Sequence, residues 1–389
     1  MTTQEQEQLD GFINLTARRA ATSIGYPFAS DFNYDELFPL FRYPLNNLGD
    51  PFIESTYDVA SRHMEREVVE FFADLFRAPK DNSWGYVTNG GSESNLYGLY
   101  VAREMHPQAM VYYSSATHYS IPKGIHLLNM SSIVIRTDSN GEMDYDDLKL
   151  SINQHRHQPA IVIANIGTTM TEAKDDVHKI RQILQETVIK LSYIHCDAAL
   201  AGNYLPLLEH DSKFDFLHGA DSIACSGHKF IGSPFPCGVV IVRKNYKARI
   251  GQPVPYIGSM DTTITGSRNG HSPVFLWYAI KKQGKEGLLK RTLESLSLAE
   301  YTQRKLQEIG ILSWRNENAI TVVFPEPTES LCKKWQLASE NGQAHIVCMP
   351  GISKEMINGF IEDMSRWQEE QNTSYPEQFI YSYSNWKVH

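Results

Sequence analysis

The stretch Asp221-Ser-Ile-Ala-Cys-Ser-Gly-His-Lys-Phe-Ile-Gly-Ser-Pro-Phe-Pro-Cys-Gly238 begins as an apolar strand and narrows through small residues to a His-Lys pair. It then returns through Gly and Pro into Val239-Val-Ile-Val242. That second run reads as the next strand, so Lys229 stands at a turn between two buried strands. Lysine is almost never kept inside a protein without a partner or a task. Desolvation lowers its pKa and frees the amine lone pair, the state a Schiff-base lysine needs. A lysine that merely snorkels from a loop is the plainer alternative.

Working outward, Tyr193-Ile-His-Cys-Asp-Ala-Ala-Leu-Ala-Gly202 is an apolar approach that ends in an acid followed by small residues. Asp197 therefore falls at the C-terminal end of a strand, where a carboxylate needs a cationic partner. Pyridoxal phosphate answers both residues: its aldehyde condenses with a lysine, and its pyridinium nitrogen seeks a carboxylate. Upstream, Gly85-Tyr-Val-Thr-Asn-Gly-Gly-Ser-Glu-Ser-Asn95 is a small-residue turn running into Leu96, Leu99 and Tyr100 at helical spacing. Glycines admit an anion close to the backbone, and the N–H groups of a new helix point at it, which makes Gly91 and Ser92 the candidate phosphate cup. A further apolar run, Ala160-Ile-Val-Ile-Ala-Asn-Ile166, ends in Gly167-Thr168-Thr169. Short apolar strands alternating with helical stretches across residues 85–242 describe an α/β domain on a mostly parallel sheet. Ligands of such sheets sit at the carboxyl ends of the strands, where these motifs fall.

Asp197-Ala-Ala, followed 32 residues after the Asp by the lysine of Ser226-Gly-His-Lys, resembles the group II pyridoxal-phosphate decarboxylases. Thr88-Asn-Gly-Gly-Ser-Glu-Ser-Asn95, Ser226 to Gly238 and Gly266-Ser-Arg-Asn-Gly-His271 are most similar to the bacterial histidine decarboxylases and the related plant serine decarboxylases. The likeness runs from Ile24 to Pro350. It implies an α/β protein with the aspartate aminotransferase-like fold of the pyridoxal-phosphate-dependent transferases: a large, mostly parallel-sheet domain and a smaller C-terminal α/β domain.

The resemblance also assigns roles. Lys229, His118 and Tyr256 are the expected catalytic residues. Lys229, Asp197, Ala199, His118, Gly91, Ser92, Thr169, Ser226 and His228 are expected to hold the cofactor, and His118, Ser267 and Arg268 the substrate. His118, in Thr117-His-Tyr-Ser120, would stack on the pyridine ring. Thr169 would lie near the phenolic oxygen, with an acid of Asp175-Asp176 behind the site. Tyr256 lies in the long irregular segment Arg243 to Pro273, the kind of loop that is usually functional. It would reach a neighbouring subunit's site and donate a proton there, with Ser267 and Arg268 approaching that partner's substrate or phosphate.

Bulk properties narrow the field. Hydrophobic residues at 42% and charged residues at 21% describe an ordinary globular protein, long enough at 389 residues for two or three structural units. A net charge of -9 excludes a nucleic-acid surface, which needs a basic footprint. No apolar run is long enough for a membrane span, and the polar start is no signal peptide. Five cysteines without metal-ligand spacing read as reduced thiols in a cytoplasm, and His155-Arg156-His157 lacks a third ligand, so no metal is expected.

The expected division is an N-terminal segment, 1–55, rich in aromatic residues and embracing a partner subunit; a cofactor domain, 56–280; and a small domain, 281–389. The last ends in an aromatic tail with Tyr375, Phe379, Tyr381, Tyr383 and Trp386. Met64, Val68, Phe71, Phe72, Leu75 and Phe76 mark one amphipathic helix. The expected activity is decarboxylation of an amino acid by a cytoplasmic homodimer or tetramer. The bacterial branch points to histidine giving histamine, while Asn46 to Ser55 and Trp335-Gln-Leu-Ala338 look nearer the serine enzymes, which give ethanolamine. An aminotransferase, or a binding protein without cofactor, are the readings from other classes.

Overall fold

The computed structural model describes residues 1–208 and 212–374; the aromatic tail from Tyr375 to Trp386 lies outside the described residues. The chain divides into two units, Phe28–Leu293 and a second that joins Met1–Pro27 to Glu294–His389.

In chain order the elements are helix α1 (Thr3–Ala20) and α2 (Arg62–Leu75), strand β1 (Ser83–Thr88), α3 (Gly91–Met105), β2 (Met110–Ser114), α4 (Ser120–Leu127) and β3 (Ser131–Ile135). There follow α5 (Tyr145–Gln154), β4 (Ala160–Asn165), α6 (Val177–Glu186), β5 (Ser192–Asp197), β6 (Ser222–Ser226), β7 (Gly238–Arg243) and α7 (His271–Glu308), two helical stretches that meet at a kink at Gly284. The first unit is built on a seven-stranded sheet in the order β1-β7-β6-β5-β4-β2-β3. Every residue of β4 is buried, as expected of a central strand covered on both faces. The face toward α3 and α4 is filled by one cluster that includes Trp84, Tyr97, Ile161, Ile163, Tyr193 and Val240.

Only β7 runs against its neighbours, β1 and β6. The cause is the segment quoted first. Parallel strands need a crossover of a dozen or more residues, usually an α-helix, and the short Gly227 to Cys237 connection contains no α-helix, so the chain returns antiparallel. That connection opens with a single π-helical turn, His228–Gly232, a rare geometry concentrated at functional sites.

The turn is tied down from both ends of its unit. The Ala29 N–H donates to the Lys229 carbonyl (3.1 Å) and the Tyr34 hydroxyl to that of Gly232 (2.5 Å). Arg291 of α7 pairs with Asp31 and donates to the Ile231 carbonyl (3.2 Å). Gly232 has φ +90°, and a Cβ there would sit 3.0 Å from Phe32, so the position demands glycine twice over.

In the second unit, β8 (Thr321–Pro325) and β9 (Ala338–Glu340) flank β10 (Gln343–Val347) in an antiparallel sheet. Helices α8 (Glu329–Trp335) and α9 (Lys354–Ser374) accompany it, with Phe324, Trp335, Ile346 and Phe360 in its core. Ile24 closes on this sheet through the Val347 N–H (2.9 Å). Helix α1 is polar, started by a Thr2/Glu5 capping box and burying none of its residues.

Candidate functional site

The carboxyl ends of β5 and β6 and the N-terminus of α3 meet at one place. Among the described residues no hydrogen bond or ion pair holds the Lys229 amine, although the side chain is largely shielded from solvent. Burial lowers its pKa, opposed by the charge of Asp197 and by Cys225. A partly desolvated amine with no partner is what a covalent cofactor attachment point requires.

Asp197 is buried at the tip of β5. Its Oδ1 accepts the Ala199 N–H (3.2 Å) and its Oδ2 accepts from Asn95 Nδ2 (2.7 Å). Asn95, one turn into α3, also lies 3.2 Å from Ser120 Oγ through Nδ2 and 3.0 Å from His195 Nε2 through Oδ1. His195 is buried beside Asp197 on the same face of β5, and its Nδ1 is 2.7 Å from Ser222 Oγ. Burial pushes the His195 pKa down to about 4, so the ring is neutral at ordinary pH. Gly98 makes room for that ring, because a Cβ there would stand 2.2 Å from Nδ1.

His118 is partly buried in the turn before α4, its Nδ1 2.8 Å from Ser120 Oγ. Burial lowers its pKa, Asp197 raises it and Lys229 lowers it further, so the three groups share one neighbourhood. The turn is braced from behind. Asn165, at the end of β4, donates to Ser114 Oγ (3.0 Å) and Thr117 Oγ1 (3.1 Å), and its own N–H donates to Asp175 (2.7 Å). Asp175 also accepts the Met143 N–H (2.8 Å), and burial pushes its carboxyl up to about 7. Asp176 does something different: it caps α6 by accepting the Lys179 N–H.

The residues expected around the cofactor's phosphate converge. Helix α3 starts at Gly91 behind Gly90, which offers no side-chain cap, so the first N–H groups of the helix are left for an anion. A Cβ at Gly91 would lie 2.5 Å from Ser226 Oγ and 3.7 Å from the Ala199 methyl, and glycine therefore keeps a cradle open between these three residues. Ser92 is exposed beside it. His228 turns its Nδ1 to the Cys237 carbonyl (2.7 Å), bracing the return into β7. The unpartnered amine, the buried acid and the cradle fit pyridoxal phosphate; among the described residues no group of His, Cys, Asp or Glu could hold a metal ion.

Other expected residues stand apart. Thr169 is exposed, while its neighbour Thr168 is buried and caps its own loop through the Ala173 N–H (3.0 Å). Tyr256 is 83% exposed. Ser267 is exposed and accepts from Asn46 Nδ2 (3.2 Å). Arg268 is buried: its guanidinium pairs with Glu65, donates to the Gly49 carbonyl (3.1 Å) and covers the Tyr86 ring, so within this chain it is engaged structurally.

Asn95, Ser120, His195 and Asn165 carry the polar framework and were not singled out from sequence. The available signal was a polar residue inside an apolar period, Asn95 before Leu96 and Leu99, and His195 and Asn165 within apolar runs.

The model of the pyridoxal-dependent decarboxylase conserved domain matches residues 49–324. A histidine decarboxylase of Mesorhizobium japonicum is 48% identical over 362 residues, covering 93% of this chain and 98% of the relative. One from Morganella morganii is 44% identical over 345 residues, covering 88% and 91% respectively. Among solved structures, the fold is similar to L-methionine decarboxylase from Streptomyces, with a TM-score of 0.86 at 24% identity over 94% of this chain and 95% of that one.

Proposed function

Because this chain belongs to the pyridoxal-dependent decarboxylase family, we propose that it converts L-histidine to histamine and carbon dioxide. The observation that carries the chemistry is the unpartnered Lys229 amine beside the charge of Asp197. The 41–48% identity to relatives named histidine decarboxylase favours histidine over serine.

Lys229 would hold the cofactor covalently and Asp197 its ring nitrogen. Gly91, Ser92, Ser226 and His228 would hold its phosphate, with Ala199 and Thr169 alongside the ring. When bound, pyridoxal phosphate supplies the electron sink for the carbanion left as carbon dioxide departs. Burial lets Lys229 give up and take back a proton at Nζ more readily than a solvated lysine does. The Asp197 carboxylate favours positive charge on whatever nitrogen it faces. His118 excludes water from one face and orients the substrate carboxylate.

The remaining proton donor comes from a second copy of the chain. Tyr256, exposed in its own protomer, delivers a proton to the α-carbon in the partner's site, and Ser267, exposed on the same segment, belongs to the same approach, with Arg268 held behind it by Glu65. Exposure of Phe28, Phe38, Phe41 and Tyr43 in the N-terminal segment supports a homodimer, since single chains rarely leave such clusters to water. Five cysteines, none in a disulfide, support a cytoplasmic location.

Purified protein incubated separately with L-histidine and L-serine should release carbon dioxide from histidine. Release from serine alone would move the assignment to the serine enzymes. A keto acid formed only with a second substrate would move it to the aminotransferases.

A further inference from the structure

We propose that Asn95 is a positioning residue that sets two site groups with one amide: it holds the Asp197 carboxylate and, through Ser120, fixes the His118 proton on Nε2. The inference rests on the reading that Asp197 and His118 face the cofactor and substrate, and it follows from what each atom in the chain of contacts is able to do.

A carboxylate only accepts, so the Asn95 atom 2.7 Å from Asp197 Oδ2 must be the amide nitrogen. That choice turns Asn95 Oδ1 toward His195, and a carbonyl oxygen also only accepts. His195 Nε2, 3.0 Å away, therefore carries the proton, and its Nδ1 takes the Ser222 hydroxyl proton at 2.7 Å. Gly98, with no space for a Cβ, keeps the His195 ring in that position. The amide's orientation is thus determined from both ends.

The second N–H of Asn95 points to Ser120 Oγ at 3.2 Å. With its oxygen accepting from Asn95, Ser120 has its own O–H free for His118 Nδ1, 2.8 Å away. The Ser120 backbone N–H approaches the same nitrogen at 3.3 Å, and a backbone N–H can only donate. His118 Nδ1 is consequently the acceptor of both, and the proton of the neutral ring sits on Nε2. No protein group takes Nε2 among the described residues. His118 presents a hydrogen-bond donor, rather than a lone pair, to what binds against it. It is suited to hold an acceptor such as a substrate carboxylate, and unsuited to act as a base from that nitrogen.

The tautomer is measurable without cofactor, by nitrogen-15 NMR of apoprotein labelled at the histidine rings, with the His118 signals identified by their loss in His118→Phe. The expected spectrum shows His118 as a single neutral tautomer, protonated at Nε2. Ser120→Ala and Asn95→Leu should each mix the tautomers, and Ser120→Thr should retain the wild-type signals. In the loaded enzyme, Asn95→Leu should lower kcat about 10²-fold with a smaller change in KM. A wild-type proton on Nδ1, or unchanged His118 signals in Ser120→Ala or in Asn95→Leu, would overturn the proposal. Ser120→Ala leaves the Asn95 to Asp197 contact in place, so the test survives a failure of Asn95→Leu to fold. Failure of the cofactor reading would show separately, as the absence of bound cofactor in wild type.

Discussion

Asp197, Asn95, Ser120 and His195 are buried and hydrogen-bonded to one another, whereas Thr169, Tyr256 and Ser267 stand exposed on the same unit. The first group is a closed set in which each polar atom finds a partner, as a low-dielectric site demands. Such a set can hold a charge or a tautomer before any ligand arrives. The second group has no comparable packing, and among the described residues the Asn46 contact of Ser267 is its one side-chain hydrogen bond. One half of the proposed site is preorganised by this polypeptide alone; in the proposed dimer the other half is aimed by a second copy.

The largest effect should come from removing the unpartnered amine beside the closed half. Lys229→Ala should lose the cofactor's visible absorbance and bring carbon dioxide release below detection. Turnover at the wild-type rate would show that the amine is not the attachment point.

The open half is broken by Tyr256→Phe, expected to lower kcat by roughly 10²–10⁴-fold while leaving cofactor uptake intact. Mixing this variant with Lys229→Ala, unfolding and refolding the two together, sharpens the comparison. If each tyrosine serves the neighbouring subunit, hybrid dimers contain one fully equipped site, and the mixture recovers activity that neither variant has alone. No recovery would place the tyrosine's action within its own chain.

A smaller effect tests how tightly the closed half is braced. Burial holds Asp175 at about 7, above the unfolded value of roughly 3.9. The folded state therefore binds this proton more tightly than the unfolded state, and the group's contribution to stability is lost as pH rises from about 4 through 7. Asp175→Asn should remove that slope from the pH dependence of Tm and cost about 1–3 kcal/mol through the weakened acceptance of the Met143 and Asn165 N–H groups. An unchanged slope would mean that the carboxyl is already ionised in the fold.

The same contrast explains what could be read from the sequence. Apolar runs followed by Gly, Ser or Thr gave the strands and their carboxyl ends, and with them Lys229, Asp197 and the start of α3, because backbone geometry and burial leave a local imprint. The single antiparallel strand was implicit in the short return after Lys229, which holds no α-helix. The framework behind the site was hidden because its links are long in sequence: Asn95 meets Asp197 across 102 positions, and Arg268 meets Glu65 across 203. A lone Asn in a helix, or a His in a strand, carries no local sign of the partner that makes its burial tolerable. Arg268 illustrates the converse, since its motif suggested a ligand while its guanidinium is committed to a buried acid.

The tether on the π-helical turn has a consequence in time rather than in space. Asp31 and Arg291 must come together across 260 positions before the turn carrying Lys229 is fully clamped. Contacts of such separation close slowly and late. On a ribosome the clamp cannot exist until the first half of α7 has emerged, when almost all of the Phe28–Leu293 unit has been synthesised.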